Sequence, residues 1–455
     1  MQTRRNRTMR SVLRWIPFLL RGGPGEILSG APAFLLAAFA SVGLDAADGV
    51  VLSPAVVVNA GALGARADGQ TDSAPAIQAA IDRVARTGGR VLLPPAEHPY
   101  VIGRSLVIAA DNVELEGTGA TVRLADGAGS GKKVNCLTVA GTEPKPVQGV
   151  VVRGLTVDAN YWQQQEAKQP RGIECQWAAH VLFDKVTVRR AWVSLAFSRG
   201  STCSEARDCT VTQWHNDGFD ASGDGVTGAT HHIRFVRCRA VDSPNESAGG
   251  LPGNRDDAWE IEDGATDIEL LDCLAANAGG KCFGVRNHAP PGRHTRNVSL
   301  LRFRSTNAGP GYVSSLSHEN SVSRIKLVDC QMDAGLSLRG PLRDLEISGG
   351  KFSGLVSLNA AGAGLSGPPR NGTIAGAEIA ELSVNLKPGH DGRERYQPTL
   401  ALRQTRILER LAVQGDAKHL SVVDCQLPAE HAAGSTVDFK PPEDRDDAAL
   451  ICVRP

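Results

Sequence analysis

The pattern of the six residues Ile233–Cys238, IRFVRC, recurs with other residues along the second half of the chain. Related copies stand at 268–273 (IELLDC), 298–303 (VSLLRF), 325–330 (IKLVDC) and 420–425 (LSVVDC). Apolar and polar residues alternate in each copy, as in a β-strand with one buried face. A strand that returns at irregular intervals of roughly 20–35 residues predicts a solenoid in which each coil stacks on the next.

The last position of each copy predicts a buried column. It holds a cysteine or Phe303, and weaker copies place Leu155, Val186 and Cys209 there. A position that accepts Leu, Val, Phe or Cys is an apolar core position, so we expect small buried thiols rather than disulfides or metal ligands. A local disulfide between Cys203 and Cys209 remains a less favoured alternative.

A second short strand follows each copy, so two or three strands per coil would stack into long parallel sheets. The open end of such a solenoid needs a cover. A helix is predicted from about residue 72 to 86, with Asp72 or Ser73 as N-cap, Pro75 in the first turn and Gly88-Gly89 beyond its end. The predicted fold class is therefore all-β, a parallel β-helix solenoid with an N-terminal capping helix.

Residues 1–48 predict an export signal. A basic start precedes the apolar run 33–44, and small residues at Ala46 and Ala47 offer a cleavage site. The run is too short to span a bilayer comfortably, so a membrane anchor is the less favoured alternative. We expect a secreted or periplasmic protein with no membrane segment in the mature chain. The remaining predicted divisions are 49–125 (N-terminal cap and first coils), 126–390 (β-helix body with the active site) and 391–455 (C-terminal coils and cap).

Charge and composition exclude several classes of function. Lys and Arg total 49, as do Asp and Glu, so the balance gives no basis for binding nucleic acid or an anionic membrane. Hydrophobic residues make up 42% of the chain, an ordinary value for a folded domain. Aromatic residues are only 5% while glycines number 50, which favours short strands and tight turns over a helical bundle.

The entry to the predicted solenoid resembles a known family. Residues 59–72, NAGALGARADGQTD, run into the helix, and Gly88–Pro95, GGRVLLPP, follows it ahead of Tyr100. This order closely resembles the N-terminal cap and first coils of the pectate lyase superfamily, which includes polygalacturonase-like glycoside hydrolases. The resemblance is strongest at 55–125 and rests on the repeat alone after residue 300. It implies a right-handed parallel β-helix and identifies the fold rather than the reaction.

Ionisable residues concentrate on the second strand of three successive coils. These strands read HNDGFDAS at 215–222, RDDAWEIED at 255–263 and GKCFGVRNH at 280–288. If the aromatic residues point inward, alternation sends two rows of side chains outward. One row is Asp220, Glu260 and Gly284, and the next is Ser222, Glu262 and Arg286. Asp217, Asp257 and Lys281 then lie together at the turn where the strand begins. Ionising several carboxylates one coil apart is costly, so one takes up a proton or a cation neutralises them.

Both outcomes suit reactions on glycans. A carboxyl with a raised pKa can protonate a leaving oxygen while a second carboxylate activates water. Alternatively, Ca²⁺ can hold a uronate carboxylate while Lys281 or Arg286 removes the neighbouring carbon-bound proton. The residues alone leave both possibilities open.

The family resemblance favours hydrolysis. Asn216–Asp220 resembles the Asn-x-Asp segment of polygalacturonase-like hydrolases, and Asp256-Asp257 resembles their paired aspartates one coil later. The resemblance implies that Asp217, Asp256 and Asp257 supply the acid and the water-activating group, with no cofactor and no metal.

Two substrate-positioning motifs of that family differ in this chain. Gly280-Lys281-Cys282 stands where the family has Gly-His-Gly, and Arg324-Ile-Lys326 has the letters of the family's Arg-Ile-Lys but lies on a strand of the core repeat. Histidines 215, 231 and 232 are expected at surface turns rather than at a metal. The predicted substrate-binding residues are Asp220, Glu260, Lys281, Arg286, His288, and Trp162 and Trp214, which would stack on sugar rings.

We therefore expect a carbohydrate-active enzyme that hydrolyses a polysaccharide, of a uronate-containing, pectin-like kind. A Ca²⁺-assisted polysaccharide lyase or a uronate epimerase is the first alternative. A non-catalytic glycan-binding β-helix is the second alternative, and it would bind oligosaccharide without releasing product.

Overall fold

The computed structural model describes residues 56–428 and 452–453, with gaps at 130, 132, 165–168, 224–229, 244–256, 289–291, 315–321, 341, 359–369, 388, 391–394 and 416. The predicted export signal at residues 1–48 lies outside this part of the chain, as does Asp256. Within it, no helix is long and apolar enough to cross a membrane.

The α-helix Ala74–Val84 packs on the first strands of the solenoid, as the sequence predicts. Ser73 occupies the N-cap position, but the capping hydrogen bonds come from its neighbour. Oδ1 of Asp72 accepts hydrogen bonds from the backbone N–H groups of Ala74 (3.0 Å) and Gly103 (2.9 Å). The carboxylate thus ties the helix start to the first coil. Short 3₁₀ helices span Ala60–Leu63, Tyr161–Gln163 and Ala417–His419.

The described strands form two long parallel sheets. Sheet 1 has 17 strands: Val57–Asn59, Gly89–Leu92, Val113–Glu116, Val147–Gln148, Val151–Arg153, Ala178–Ala179, Leu182–Asp184, Thr202–Arg207, His231–Val236, Thr266–Leu271, Arg296–Leu301, Ser323–Val328, Arg343–Ser348, Asn371–Ala375, Thr399–Arg403, Leu420–Cys425 and Cys452–Val453. Sheet 2 has 19 strands: Tyr100–Ile102, Leu106–Ile108, Thr121–Leu124, Asn135–Ala140, Thr156–Asp158, Arg171–Gln176, Thr187–Arg189, Val193–Ser198, Thr210–Thr212, Asp217–Ser222, Arg239–Ser243, Trp259–Glu262, Leu274–Val285, Arg304–Ser314, Gln331–Met332, Leu336–Arg339, Lys351–Leu358, Glu378–Leu386 and Arg406–Gly415. A small antiparallel pair joins Gly389–His390 to Arg395–Tyr396.

Each coil contributes one or two strands to sheet 1 and then up to two to sheet 2. In one coil, His231–Val236 lies in sheet 1, while Arg239–Ser243 and Trp259–Glu262 lie in sheet 2. The next coil begins with Thr266–Leu271, which pairs in parallel with His231–Val236. Its two sheet-2 strands merge into the single strand Leu274–Val285. The repeated hexamers therefore stack in register along sheet 1, as their alternation predicts.

The predicted cysteine column is buried at the turn from sheet 1 to sheet 2. Cys209, Cys238 and Cys273 are at most 1% exposed. The thiol of Cys238 donates to the carbonyl of Ala206 in the preceding coil, at 3.2 Å. The column is therefore a row of small apolar residues whose only polar group is satisfied by backbone. The alternative disulfide is wrong, because Cys203 is exposed and both it and Cys209 are free thiols.

A left-handed backbone residue precedes each position of the column. Asp208, Arg237 and Asp272 adopt φ of 52°, 53° and 55°. Because these turns stack, their side chains meet in the next coil, and Arg237 donates two hydrogen bonds to Asp208 at 2.7 and 2.8 Å. The turn both reverses the chain and points the following residue into the core.

Aromatic side chains fill the core beneath the central coils. Phe219 stacks on Trp259 with ring centroids 5.0 Å apart, and Trp259 meets the edge of Phe303. All three are fully buried, as the alternation predicts for Trp259. Burying side chains of this size stabilises a fold by roughly 2 kcal/mol or more each. This rigid core fixes the strands from which the ionisable rows project.

The solenoid runs through both predicted division points at 125 and 390. Thr121–Leu124 pairs with Thr156–Asp158, and Asn371–Ala375 pairs with Thr399–Arg403. Residues 429–451 of the predicted C-terminal division 391–455 lie outside the described residues. That assignment stays a prediction.

Candidate active site

The register of sheet 2 places the ionisable residues in the rows that alternation predicts. Asp220 pairs with Glu260, and Glu260 pairs with Gly284 in the following coil. Asp257 forms a parallel bridge with Lys281 at the start of the same strands. Side chains from three coils, separated by more than 20 residues in sequence at each step, are thus brought to one face.

These outward carboxylates are almost completely buried. Asp217 is 2% exposed, Asp257 0% and Glu260 6%. A carboxylate removed from water needs a cation, a hydrogen-bond donor or a proton. The cluster uses all three.

Two cations hold Asp257. Nζ of Lys281 lies 3.0 Å from its Oδ1, and Nη2 of Arg286 lies 2.6 Å from its Oδ2. The same Nη2 lies 2.5 Å from Oε1 of Glu260, so Arg286 bridges the two carboxyl groups. Gly284 makes room for this arrangement, because a Cβ at that position would lie 1.8 Å from Oδ2 of Asp257.

Asp217 and Glu260 form a hydrogen-bonded pair that holds a proton near neutral pH. Burial raises the pKa of Asp217 from its ordinary 3.8 to about 7; the nearby charges of Asp257 and Glu262 raise it too. The hydrogen bonds with Glu260 and from the Asn216 amide oppose this shift. Burial and the charge of Asp217 likewise raise the pKa of Glu260 well above its usual range. Two adjacent carboxyls that cannot both ionise share a proton.

His288 belongs to a separate group at the edge of the cluster. Its backbone N–H donates to Oδ1 of Asp263 at 2.6 Å, and its Nδ1 lies 3.2 Å from Oε2 of Glu262. Hydrogen bonds with these two carboxylates raise the pKa of His288 to about 9. The three side chains come within 4.8 Å, as metal ligands would. At that pKa the imidazole is protonated near neutral pH, so it forms an ion pair with the two carboxylates.

A second charged cluster, which the sequence reasoning missed, lies two coils earlier on the same face. Glu174 accepts a hydrogen bond from Asn135 at 2.6 Å and from Arg171 at 3.1 Å. Burial alone would raise the pKa of Glu174, but Arg171 and Lys133 outweigh burial and lower it. Arg171 also lies 3.8 Å from Oδ2 of Asp220. Extending the outward row back from Asp220 would have found Glu174, because both occupy the same ladder position.

The prediction for Trp214 is wrong. Trp214 is 2% exposed and belongs to the core, so it cannot stack on a sugar ring. Gln213 before it has φ of 53°, and the residue after such a turn points inward, as Ala191 does after Arg190. Trp162 is half-buried on its 3₁₀ helix, and its sugar-stacking role stays a prediction.

The expectation that His215 is a surface histidine is also wrong. His215 is 7% exposed, and its ring centroid lies 4.4 Å from that of Trp192 and 5.0 Å from that of Tyr161. Both partners come from earlier coils. The aromatic contacts therefore fix the turn immediately before Asn216 and Asp217. His231 and His232 lie together at a sheet-1 turn, with Nδ1 atoms 2.7 Å apart.

The structure thus brings together five of the ten site residues that the sequence predicts. Asp217, Asp257, Glu260, Lys281 and Arg286 form one contiguous cluster. The catalytic prediction for Asp256 lies outside the described residues.

The architecture defines a parallel β-helix with a buried, mixed-charge cluster on its outer face. Among solved structures it is similar to the A-modules of two mannuronan C-5 epimerases of Azotobacter vinelandii. The AlgE6 module matches with TM-score 0.61 and 19% identity, over 82% of this chain and 99% of the module. The AlgE4 module matches with TM-score 0.58 and 17% identity, over 81% and 100%.

A polygalacturonase from Erwinia carotovora ssp. carotovora also matches, with TM-score 0.52 and 13% identity, over 78% of this chain and 94% of that one. These likenesses confirm the predicted right-handed parallel β-helix. No protein-family model and no curated protein sequence matches the chain.

Proposed function

We propose that the protein is a carbohydrate-active enzyme that hydrolyses glycosidic bonds in a uronate-containing polysaccharide. The observation that carries the proposal is the proton-sharing pair of Asp217 and Glu260 beside Asp257, whose carboxylate contacts two cations. A site that pushes the proton affinities of neighbouring carboxyls apart is equipped for acid and base roles at one pH.

The acid role falls to the Asp217–Glu260 pair. With the pKa of Asp217 raised to about 7, the pair carries a proton at the pH at which a glycosidic oxygen must be protonated. We expect turnover to fall as the pH rises above about 7, because the pair then loses that proton.

The water-activating role falls to the Asp256-Asp257 pair, following the family resemblance. The positive charges of Lys281 and Arg286 compensate the charge on Asp257 and hold its carboxylate beside the acid. Inverting and retaining glycosidases both need such a second carboxylate. Hydrolysis by this route requires no metal or other cofactor.

The substrate class rests on charge and on the structural neighbours. Lys281, Arg286 and protonated His288 provide positive charge around the cluster, which suits an acidic sugar. The neighbours named above act, by their titles, on mannuronan and polygalacturonan, which are both polyuronates.

A lyase or C-5 epimerase is the second candidate, favoured by the likeness to the two epimerase modules. Lys281 and Arg286 are both in ion pairs, which favour their charged forms, so neither is suited to act as the base. The Asp217–Glu260 pair would instead exchange the proton on the carbon beside the uronate carboxylate. Ca²⁺ is proposed only for the lyase route, where it would neutralise that carboxylate.

We also propose that the chain is exported, on the strength of residues 1–48, and acts in the periplasm or outside the cell. Finding the mature N-terminus near residue 48 in the exported fraction would support this. Retention of the full-length chain inside the cell would contradict it.

The reaction class is tested by incubating the protein with polygalacturonate, mannuronan and neutral glycans, with Ca²⁺ or with a chelator. New reducing ends without ultraviolet absorbance from unsaturated uronates would support hydrolysis. Absorbance that a chelator abolishes would identify a lyase, and altered sugar configuration in a chain of unchanged length would identify an epimerase. Binding without any product would leave the glycan-binding β-helix.

A further inference from the structure

The outward row that carries Asp220 and Glu260 continues into the following coils. Gly284 pairs with Tyr312, and Tyr312 pairs with Ser337. Neighbouring strands lie about 4.8 Å apart, so Tyr312 stands two coils, or roughly 10 Å, beyond Glu260 along the solenoid. A glycan that extends from the carboxylates along this row passes over Tyr312.

Two cations lie close to the ring of Tyr312. Nζ of Lys281 lies 5.3 Å from the centroid of its ring, and Cζ of Arg339 lies 5.5 Å from it. Tyr312 is half-buried and Arg339 is exposed. An aromatic face beside cationic groups suits a sugar that carries a carboxylate: the apolar face of the sugar ring packs on the aromatic ring, and the carboxylate meets the cations.

The charges of the two cations are compensated differently. Lys281 forms an ion pair with Asp257 at 3.0 Å. Arg339 forms no ion pair with any carboxylate in the part of the chain that the structure describes. Its contact with Tyr312 is weak at an exposed site and leaves most of the guanidinium donors for an anion.

The Arg-Ile-Lys motif, which positions substrate in the family, cannot bind the sugar carboxylate at this site. Arg324 and Lys326 lie on the strand Ser323–Val328 of sheet 1, whereas the carboxylate cluster lies on sheet 2. A cation on the active face must therefore come from other positions. Arg339 is at the end of Leu336–Arg339, in the sheet-2 row that neighbours the Tyr312 row.

We propose that Tyr312, Lys281 and Arg339 form a binding subsite for one uronate residue of the glycan, next to the bond that is attacked. The subsite rests on the proposed function for its position along the substrate. Its chemistry requires a carboxylate, so it distinguishes an acidic sugar from its methyl ester or a neutral sugar.

The experiment measures binding rather than turnover. Full-length protein carrying Asp217→Asn is titrated with oligogalacturonate, with oligomannuronate and with the methyl ester of each. Adding Arg339→Gln should weaken binding of the preferred acid by about fivefold or more and reduce its salt dependence, while leaving the methyl ester unchanged. Tyr312→Ala should weaken binding of both forms, and Tyr312→Phe should keep both. Arg324→Gln, on sheet 1, is the matched control.

Binding that does not prefer the acid over its methyl ester, including no binding at all, would overturn the subsite. So would equal affinity in the Arg339→Gln protein, given an unchanged thermal midpoint. Acid-selective binding that depends on Arg339, with no hydrolysis by the unmutated protein, would keep the subsite and refute the hydrolase. Hydrolysis by the unmutated protein, together with binding that does not depend on Arg339, would refute the subsite and keep the hydrolase.

Discussion

Replacing Asp217 with Asn should stabilise the protein at neutral pH while removing its activity. The folded state raises the pKa of Asp217 from 3.8 to about 7, so it binds a proton that the unfolded chain releases. The free energy of unfolding therefore falls as the pH rises from about 4 to about 7. At ~1.4 kcal/mol per pH unit, that interval corresponds to roughly 4 kcal/mol, an upper value because Glu260 shares the proton. Asn has no such proton to lose, and its amide can still donate to Glu260.

The assay is denaturant unfolding of the unmutated and Asp217→Asn proteins at several pH values between about 2 and 8. The two stability curves should meet near pH 4, separate increasingly up to about pH 7 and keep a constant gap above it. Asp68→Asn provides a control of opposite sign. Hydrogen bonds from the Thr71 side chain and the Thr71 and Gln70 backbones lower the pKa of Asp68 to about 2. Its contribution is therefore present above about pH 4 and lost as the pH falls towards 2, so Asp68→Asn should destabilise the protein only above that window. Parallel curves for Asp217→Asn and the unmutated protein would refute the proton-sharing pair.

Two further predictions concern positioning. Gly284→Ala should displace the Asp257 carboxylate, because the new Cβ would lie 1.8 Å from its Oδ2. Breaking the buried ion pairs of Asp257 costs roughly 3–5 kcal/mol, so both kcat and the denaturant midpoint should fall. An unchanged kcat would show that Asp257 need not be held there. Asp72→Ala should lower the free energy of unfolding by about 1 kcal/mol, because the backbone N–H groups of Ala74 and Gly103 lose their acceptor. Unchanged stability would show that the helix start needs no cap.

The fold could be predicted because its signal is local and repeated. Each copy of Ile233–Cys238 carries the alternation of a strand and ends at a core position, so several weak signals agree. The rows at Asp220 and Glu260 followed from the same alternation and are confirmed by the register. Trp214 was assigned wrongly because the left-handed turn at Gln213, which reverses the inward and outward sides, leaves no mark in the sequence.

The chemistry of the site was harder to predict because it depends on contacts between coils. Sequence could place Asp257 beside Lys281, but not show that Arg286 would bridge Asp257 and Glu260. The proton held by Asp217 and Glu260 depends on burial, which outward alternation alone would not predict. A pattern of residues gives the face on which side chains lie, whereas their protonation depends on how completely that face is covered.

The most direct test of the account compares the release of reducing ends from polyuronates by three proteins: unmutated, Asp217→Asn and Asp242→Asn. Asp242→Asn is the control, because it makes the same substitution at an exposed residue of the neighbouring coil. Asp242 has a left-handed backbone conformation, which Asn adopts readily. We expect hydrolysis by the unmutated and Asp242→Asn proteins and none by Asp217→Asn, with all three folded. Full activity in folded Asp217→Asn would contradict that expectation.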